Sequence, residues 1–108
     1  MPQIKQITVT EYAKLQTQPN PPELLDVRDR WEFSIAHIPN AQLKTLGQIK
    51  EWARQLDKNK SYVVVCHHGG RSYMACEYLA SLGITQVMNL AGGTHAWAVD
   101  IDPTMARY

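Results

Sequence analysis

The chain has 108 residues, 44% of them apolar, enough for one domain around a single core. Its 11 Lys and Arg against 10 Asp and Glu leave a net charge of +1, which argues against a nucleic-acid or membrane-surface protein. The opening Met1–Gln6 segment has no apolar signal core, and no stretch approaches the roughly 20 apolar residues of a membrane span.

Strands and helices alternate along the chain. Ile4 to Val9 reads as a first strand, with Thr10 as the N-cap of a short helix running to Leu15. The Gln18-Pro19-Asn20-Pro21-Pro22 stretch is a loop, because its prolines bar a helix. Leu24 to Val27 reads as the second strand, followed by a short helical turn that opens at Asp29 or Arg30 and ends before His37. Ala41 to Lys44 is a brief third strand. Leu46, Ile49, Ala53 and Leu56 recur at helical spacing, which predicts one amphipathic helix over Thr45 to Leu56. After a polar turn, Tyr62 to Val65 is a run of strand formers suited to a buried parallel strand. In the helix beyond it, Met74, Ala75, Tyr78, Leu79 and Leu82 share one face, and Gly83 closes the end. Gln86 to Leu90 is the last strand. This alternation predicts an α/β fold with a small, mostly parallel five-stranded sheet and helices on both faces. Ligands of such sheets sit at the carboxyl ends of the strands. Asp26, Cys66 and the Gly92-Gly93 turn all fall there.

Chemistry concentrates in Cys66-His67-His68-Gly69-Gly70-Arg71-Ser72, a tight loop between a buried strand and a helix. Gly69 and Gly70 let successive N–H groups turn inward as a nest, and the following helix adds its unpaired N–H groups and the positive end of its dipole. A sulfur over that cradle ionises readily. Arg71 contributes a permanent charge and a planar fork suited to oxyanions. The alternative is a structural cysteine ending a core strand.

The Cys66-x4-Arg71-Ser72 pattern after a hydrophobic strand resembles the active-site loop of the rhodanese (sulfurtransferase) family. Two further segments are similar to that family's signatures and follow in its order. One is Leu24–Ala41, a strand ending in Asp26-Val27-Arg28 followed by a His37-Ile38-Pro39 turn. The other is Asn89–Trp97, a strand, a double glycine and a short Trp-bearing helix. The resemblance implies the three-layer rhodanese-like fold in one domain over residues 1–108, with a family-like core over about residues 18–104. It also implies transfer of a sulfane sulfur from thiosulfate or a persulfide donor to cyanide or a thiol, through a persulfide on Cys66. Arg71, His67, His68, Gly69, Gly70 and Ser72 then form the substrate-binding loop. No metal or organic cofactor is expected, because sulfur carries both the bond and the charge. The expected partners are a small anionic sulfur donor and a thiol, cyanide or protein acceptor, with no nucleic acid and no membrane. Two free thiols fit a reducing, cytoplasmic setting.

Two other readings share the loop. A sulfur-carrier or binding module serving a protein partner needs the same Cys66 and Arg71. A thiolate phosphatase or arsenate reductase does not fit as well, since rhodanese-like phosphatases carry five residues between cysteine and arginine. Here there are four.

Ala36 and Asn40 stand where the family usually has glycine. Alanine can replace it only where φ is negative, and asparagine is the non-glycine residue that best tolerates a left-handed conformation, so the departures bear on local loop shape. The Val99–Pro103 tail likewise lacks the glycine usual before the family's last proline. His37 is expected to lock its own turn. Asp26 and Arg28 are expected to form an internal ion pair or loop anchor, with substrate contact by Arg28 as the alternative. Glu32 is a partner for either Arg28 or Arg71. Cys76 reads as a small packed residue off the apolar face, beside Ala80, with a resolving-thiol role as the alternative. Trp31, Trp52 and Trp97 read as core or half-buried packing. A metal site on Cys66, His67 and His68 is disfavoured, because adjacent side chains on a tight loop diverge.

Overall fold

The structure, a computed structural model, describes residues 3–108, so the first two residues of the Met1–Gln6 segment lie outside it. Five parallel strands form one sheet: β1 (Lys5–Ile7), β2 (Glu23–Asp26), β3 (Gln42–Leu43), β4 (Tyr62–Val65) and β5 (Val87–Leu90). Their order is β1-β5-β4-β2-β3, so β4 lies in the middle. Its four residues are all buried, as a strand covered on both faces requires. Tyr62 and Val64 point to one layer with Trp52, Ala75, Cys76 and Leu79. Val63 and Val65 point to the other with Val9, Tyr12, Leu90 and Trp97. The helices are α1 (Val9–Leu15), α2 (Arg30–Ile35), α3 (Ile49–Trp52), α4 (Gly70–Ser81) and α5 (Gly93–Asp100). Helices on both faces of a parallel sheet match the sequence expectation.

Several boundaries differ from that expectation for local reasons. α1 starts two residues early because Thr8, not Thr10, is the N-cap. Glu11 sits at the third helical position and closes a reciprocal capping box with Thr8. The helix expected over Thr45 to Leu56 is divided into a 3₁₀ turn (Leu46–Gln48), α3 and a second 3₁₀ turn (Ala53–Gln55). Spacing explains the division. Leu46/Ile49 and Ala53/Leu56 are three apart and align on 3₁₀ turns, whereas Ile49/Ala53 are four apart and suit an α-turn.

On α4 the buried stripe is Ser72, Ala75, Cys76 and Leu79, while Met74 is exposed at 59%. The inward face is therefore rotated from the one the apolar pattern predicts. Its first member is a serine, which pattern counting reads as solvent-facing. The helix ends as expected on Gly83, at φ 92°: the Gly83 N–H bonds the Ala80 carbonyl and the Ile84 N–H that of Leu79.

Asp26 and Arg28 are both fully buried and make the expected ion pair. Arg28 donates Nε and Nη2 to the Asp26 carboxylate, and Nη2 also reaches the Ala36 carbonyl at 2.8 Å. That contact ties the end of α2 to β2. Ala36 is extended at φ −169° and Asn40 is left-handed at φ 72°, conformations that these residue types tolerate in place of glycine. His37 bonds the Phe33 carbonyl through Nδ1 at 3.1 Å and stacks on the Phe33 ring, so it locks its own turn. Truncating Arg28 strands a buried carboxylate. Arg28→Ala is expected to lower unfolding free energy by about 3–5 kcal/mol in urea titration, with Arg28→Lys recovering part of it.

Candidate active site

Parallel strands put the ends of β2, β4 and β5 along one edge, and the site lies there. Cys66 follows β4, and the chain turns through His67 and His68 to Gly69. Gly69 caps α4 at φ 118°, a value L side chains rarely adopt. This turn aims N–H groups at the sulfur. The Gly69 N–H lies 3.0 Å from Cys66 Sγ, and the N–H groups of Ser72 and His68 also favour negative charge on the sulfur. The Ser72 hydroxyl lies 3.4 Å from the sulfur.

The loop carbonyls point the other way. The first N–H groups of α5 hold them: Thr94 N–H donates to the Cys66 carbonyl at 2.9 Å and His95 N–H to that of His67 at 3.1 Å. Such close approach leaves no room at Gly93, where a Cβ would collide with both carbonyl oxygens. A second support comes from Asn89 on β5. Its amide nitrogen donates to the Gly69 carbonyl and to Gln6, and its oxygen competes with the Cys66 sulfur for the one proton of the Ser72 hydroxyl. Asn89 is a buried polar residue within an apolar strand, and that was its one signal in the sequence.

Burial pushes the Cys66 thiol up, but the Ser72 hydroxyl and the N–H groups of Ser72, Gly69 and His68 outweigh it, so the thiol lies below its ordinary value. Cys76 behaves oppositely. It is fully buried in the α4 layer and pushed up to about 12, by burial first and then by the negative charges of Cys66 and Glu77.

Arg71 turns from the loop toward α2. Its Nη1 and Nη2 donate to the two oxygens of Glu32 at 2.7 and 2.9 Å, a bidentate pair. Of the two partners expected for Glu32, Arg71 is the one it meets directly. Glu32 also accepts the Asp29 N–H and the hydroxyl of Tyr108, which in turn accepts from Arg28 Nη1. The Arg71 bonds, with help from Tyr108 and Asp29, hold the Glu32 carboxyl down at about 2 despite burial. Because Glu32 faces inward, its neighbour Trp31 faces out. Trp31 is exposed at 60%, edge-on to Tyr108, and is not the packed residue the sequence predicts. Trp52 and Trp97 are core residues.

His67 stacks on Tyr108 at 4.2 Å between ring centres, and His68 and His95 lie beside it. Burial and the neighbouring imidazoles lower the His67 pKa and favour its neutral form. Gly70 opens α4 at the surface. Among the described residues, no three His, Cys, Asp or Glu side chains are grouped to hold a metal ion. Tyr108, 76 residues from Glu32, had no signal in the local pattern.

A family model described as rhodanese-like domain matches residues 8–100. The chain is 38% identical to the thiosulfate sulfurtransferase GlpE of Pseudomonas syringae, over 68% of this chain and 70% of that one. A solved rhodanese-like domain protein from Staphylococcus aureus superposes with a TM-score of 0.82 at 36% identity, covering 87% of this chain and 91% of that one. Other curated relatives are longer. The rhodanese-like/PpiC domain-containing protein 12 of Arabidopsis thaliana is 32% identical over 97% of this chain, which spans 38% of that protein's length.

The two supports of the cradle are separable by experiment. Ser72→Ala removes one donor, so the Cys66 thiol should titrate higher in alkylation-rate profiles than in the wild type. Gly93→Ala should raise it as well, by displacing the loop carbonyls, and should also lower the melting temperature.

Proposed function

This chain belongs to the rhodanese-like domain family, and on that premise we propose that it is a sulfurtransferase working through a persulfide on Cys66. The observation that carries the reading is the ring of N–H groups and one hydroxyl around a single buried sulfur. In the first half-reaction the Cys66 thiolate attacks the outer sulfur of a sulfane donor, such as thiosulfate or a persulfide. With thiosulfate, the sulfur–sulfur bond of the donor breaks, sulfite leaves as a dianion, and Cys66 keeps the transferred sulfur as an anionic persulfide. The N–H groups that favoured the thiolate now favour that terminal sulfur, as an oxyanion hole would. In the second half-reaction cyanide or a thiol takes the terminal sulfur, and the thiolate returns. Such a two-step exchange gives ping-pong kinetics. Arg71 uses two N–H groups on Glu32, and those remaining are available to the donor's anionic end.

The protein works on this reading in a reducing, cytoplasmic setting that keeps both thiols free. Among the described residues no helix is long and apolar enough to cross a membrane. Delivery to a protein acceptor is the second reading, favoured by exposed Trp31 and Ile35 on α2 beside Tyr108.

Incubation with thiosulfate should add about 32 Da, one sulfur atom, to the intact mass, and cyanide should remove it as thiocyanate. Cys66→Ser should abolish both events and Cys76→Ser should retain both; an adduct on Cys76 would overturn the assignment. A loop with only four residues between Cys66 and Arg71 seats a sulfur and not a phosphate. Aryl phosphates should accordingly show no hydrolysis above the Cys66→Ser control, and Cys66-dependent phosphatase activity would replace this reading with its rival.

A further inference from the structure

The arginines at this site are charge-matched. Arg28 is paired with Asp26, Arg71 with Glu32, and Tyr108 bridges the two pairs through its hydroxyl. The Glu32 side chain is 4% exposed and receives four hydrogen bonds, so it is held as an anion against Arg71. His67 favours its neutral form, and Arg107, which keeps its charge, is exposed and bonds the Ala98 carbonyl rather than the Cys66 loop. Positive potential around Cys66 therefore comes mainly from peptide N–H dipoles, which act at short range and cover one sulfur atom.

That pattern discriminates between donors by charge. Attack of the thiolate on thiosulfate gathers three negative charges in the transition state, shared between the nascent persulfide and departing sulfite. Attack on an uncharged hydropersulfide, R–S–SH, gathers one: the thiolate bonds the outer sulfur, the sulfur–sulfur bond breaks, and R–S⁻ leaves. A site with a free arginine would favour the first, and a charge-matched site favours the second. Building on the sulfurtransferase reading, we infer that Glu32 is a specificity-determining residue, cancelling the charge of Arg71 so that Cys66 is loaded by uncharged hydropersulfides ahead of dianionic thiosulfate.

A purely structural Glu32 is the competing account, since it also completes the α2 capping box with Asp29. Glu32→Gln separates the two. Glutamine is competent in a capping box and still accepts a hydrogen bond from Arg71, but it carries no charge. The readout is the single-turnover rate of the 32 Da gain on Cys66, with thiosulfate and with a small uncharged alkyl hydropersulfide. Uncovering one unit of charge on Arg71, five residues from Cys66 in the same loop, is worth about tenfold in rate. Glu32→Gln should therefore raise the thiosulfate-to-hydropersulfide rate ratio by about tenfold or more. A ratio changed by less than about twofold, with both rates falling together, would overturn the inference and leave Glu32 a brace.

The wild-type protein supplies a second measurement that does not depend on the variant folding. A thiolate site without net positive charge repels thiosulfate, so added salt should speed loading by thiosulfate and leave the hydropersulfide rate nearly unchanged. Slowing of thiosulfate loading by salt would overturn the inference. Loading of Cys66 by neither donor would end the sulfurtransferase reading and this inference with it. Loading by both, with an unshifted ratio, would end the inference alone.

Discussion

Two backbone hydrogen bonds, from the first turn of α5 to the carbonyls of Cys66 and His67, decide which way the peptide planes of the loop face. With the carbonyl oxygens held outward, the Gly69 N–H bonds the sulfur, and the N–H groups of His68 and Ser72 also favour its negative charge. The same contact explains the double glycine far along the chain. Gly93 is a glycine because the Cys66 and His67 carbonyls occupy the space of its side chain. The environment of the Cys66 sulfur is thus assembled from residues almost thirty positions apart, and the parallel sheet brings them to one edge.

A second layer of organisation is the line of charges from Asp26 through Arg28, Tyr108 and Glu32 to Arg71. Each member is partnered, which offsets the cost of taking charge out of water. The line joins β2, α2, the C-terminal residue and the sulfur-bearing loop. The charges of Arg28 and Arg71 are thereby matched, and the Ser72 hydroxyl and backbone N–H groups favour negative charge at Cys66.

Much of this was legible in the sequence. The limits of β4, the loop, the capping glycines at 69 and 83, and the left-handed Asn40 each depend on a few neighbouring residues. The buried Asp26–Arg28 pair was legible because its members are two apart. Less legible were features that join distant segments or invert a local rule. Glu32 turns a charged side chain inward and thereby sends Trp31 out, against the hydrophobicity of both. Ser72 opens the buried stripe of α4 because its hydroxyl belongs to the sulfur site, and that shifted the apparent face of the helix. Tyr108 and Asn89 enter through contacts with no periodicity to announce them.

The two cysteines differ in a way that bears on how sulfur leaves the protein. Cys76 lies in the same layer as Cys66, sealed under α4 and far from ionisation at neutral pH. On the proposed reaction, a sulfane sulfur on Cys66 would therefore meet no ready thiolate at Cys76, and no disulfide between the two cysteines would discharge it. An enzyme with a resolving cysteine sheds its adduct on its own schedule. On the proposed reaction, the lifetime of an adduct on Cys66 would be set from outside, by the arrival of an acceptor, and the loaded form would be a store of activated sulfur as well as an intermediate.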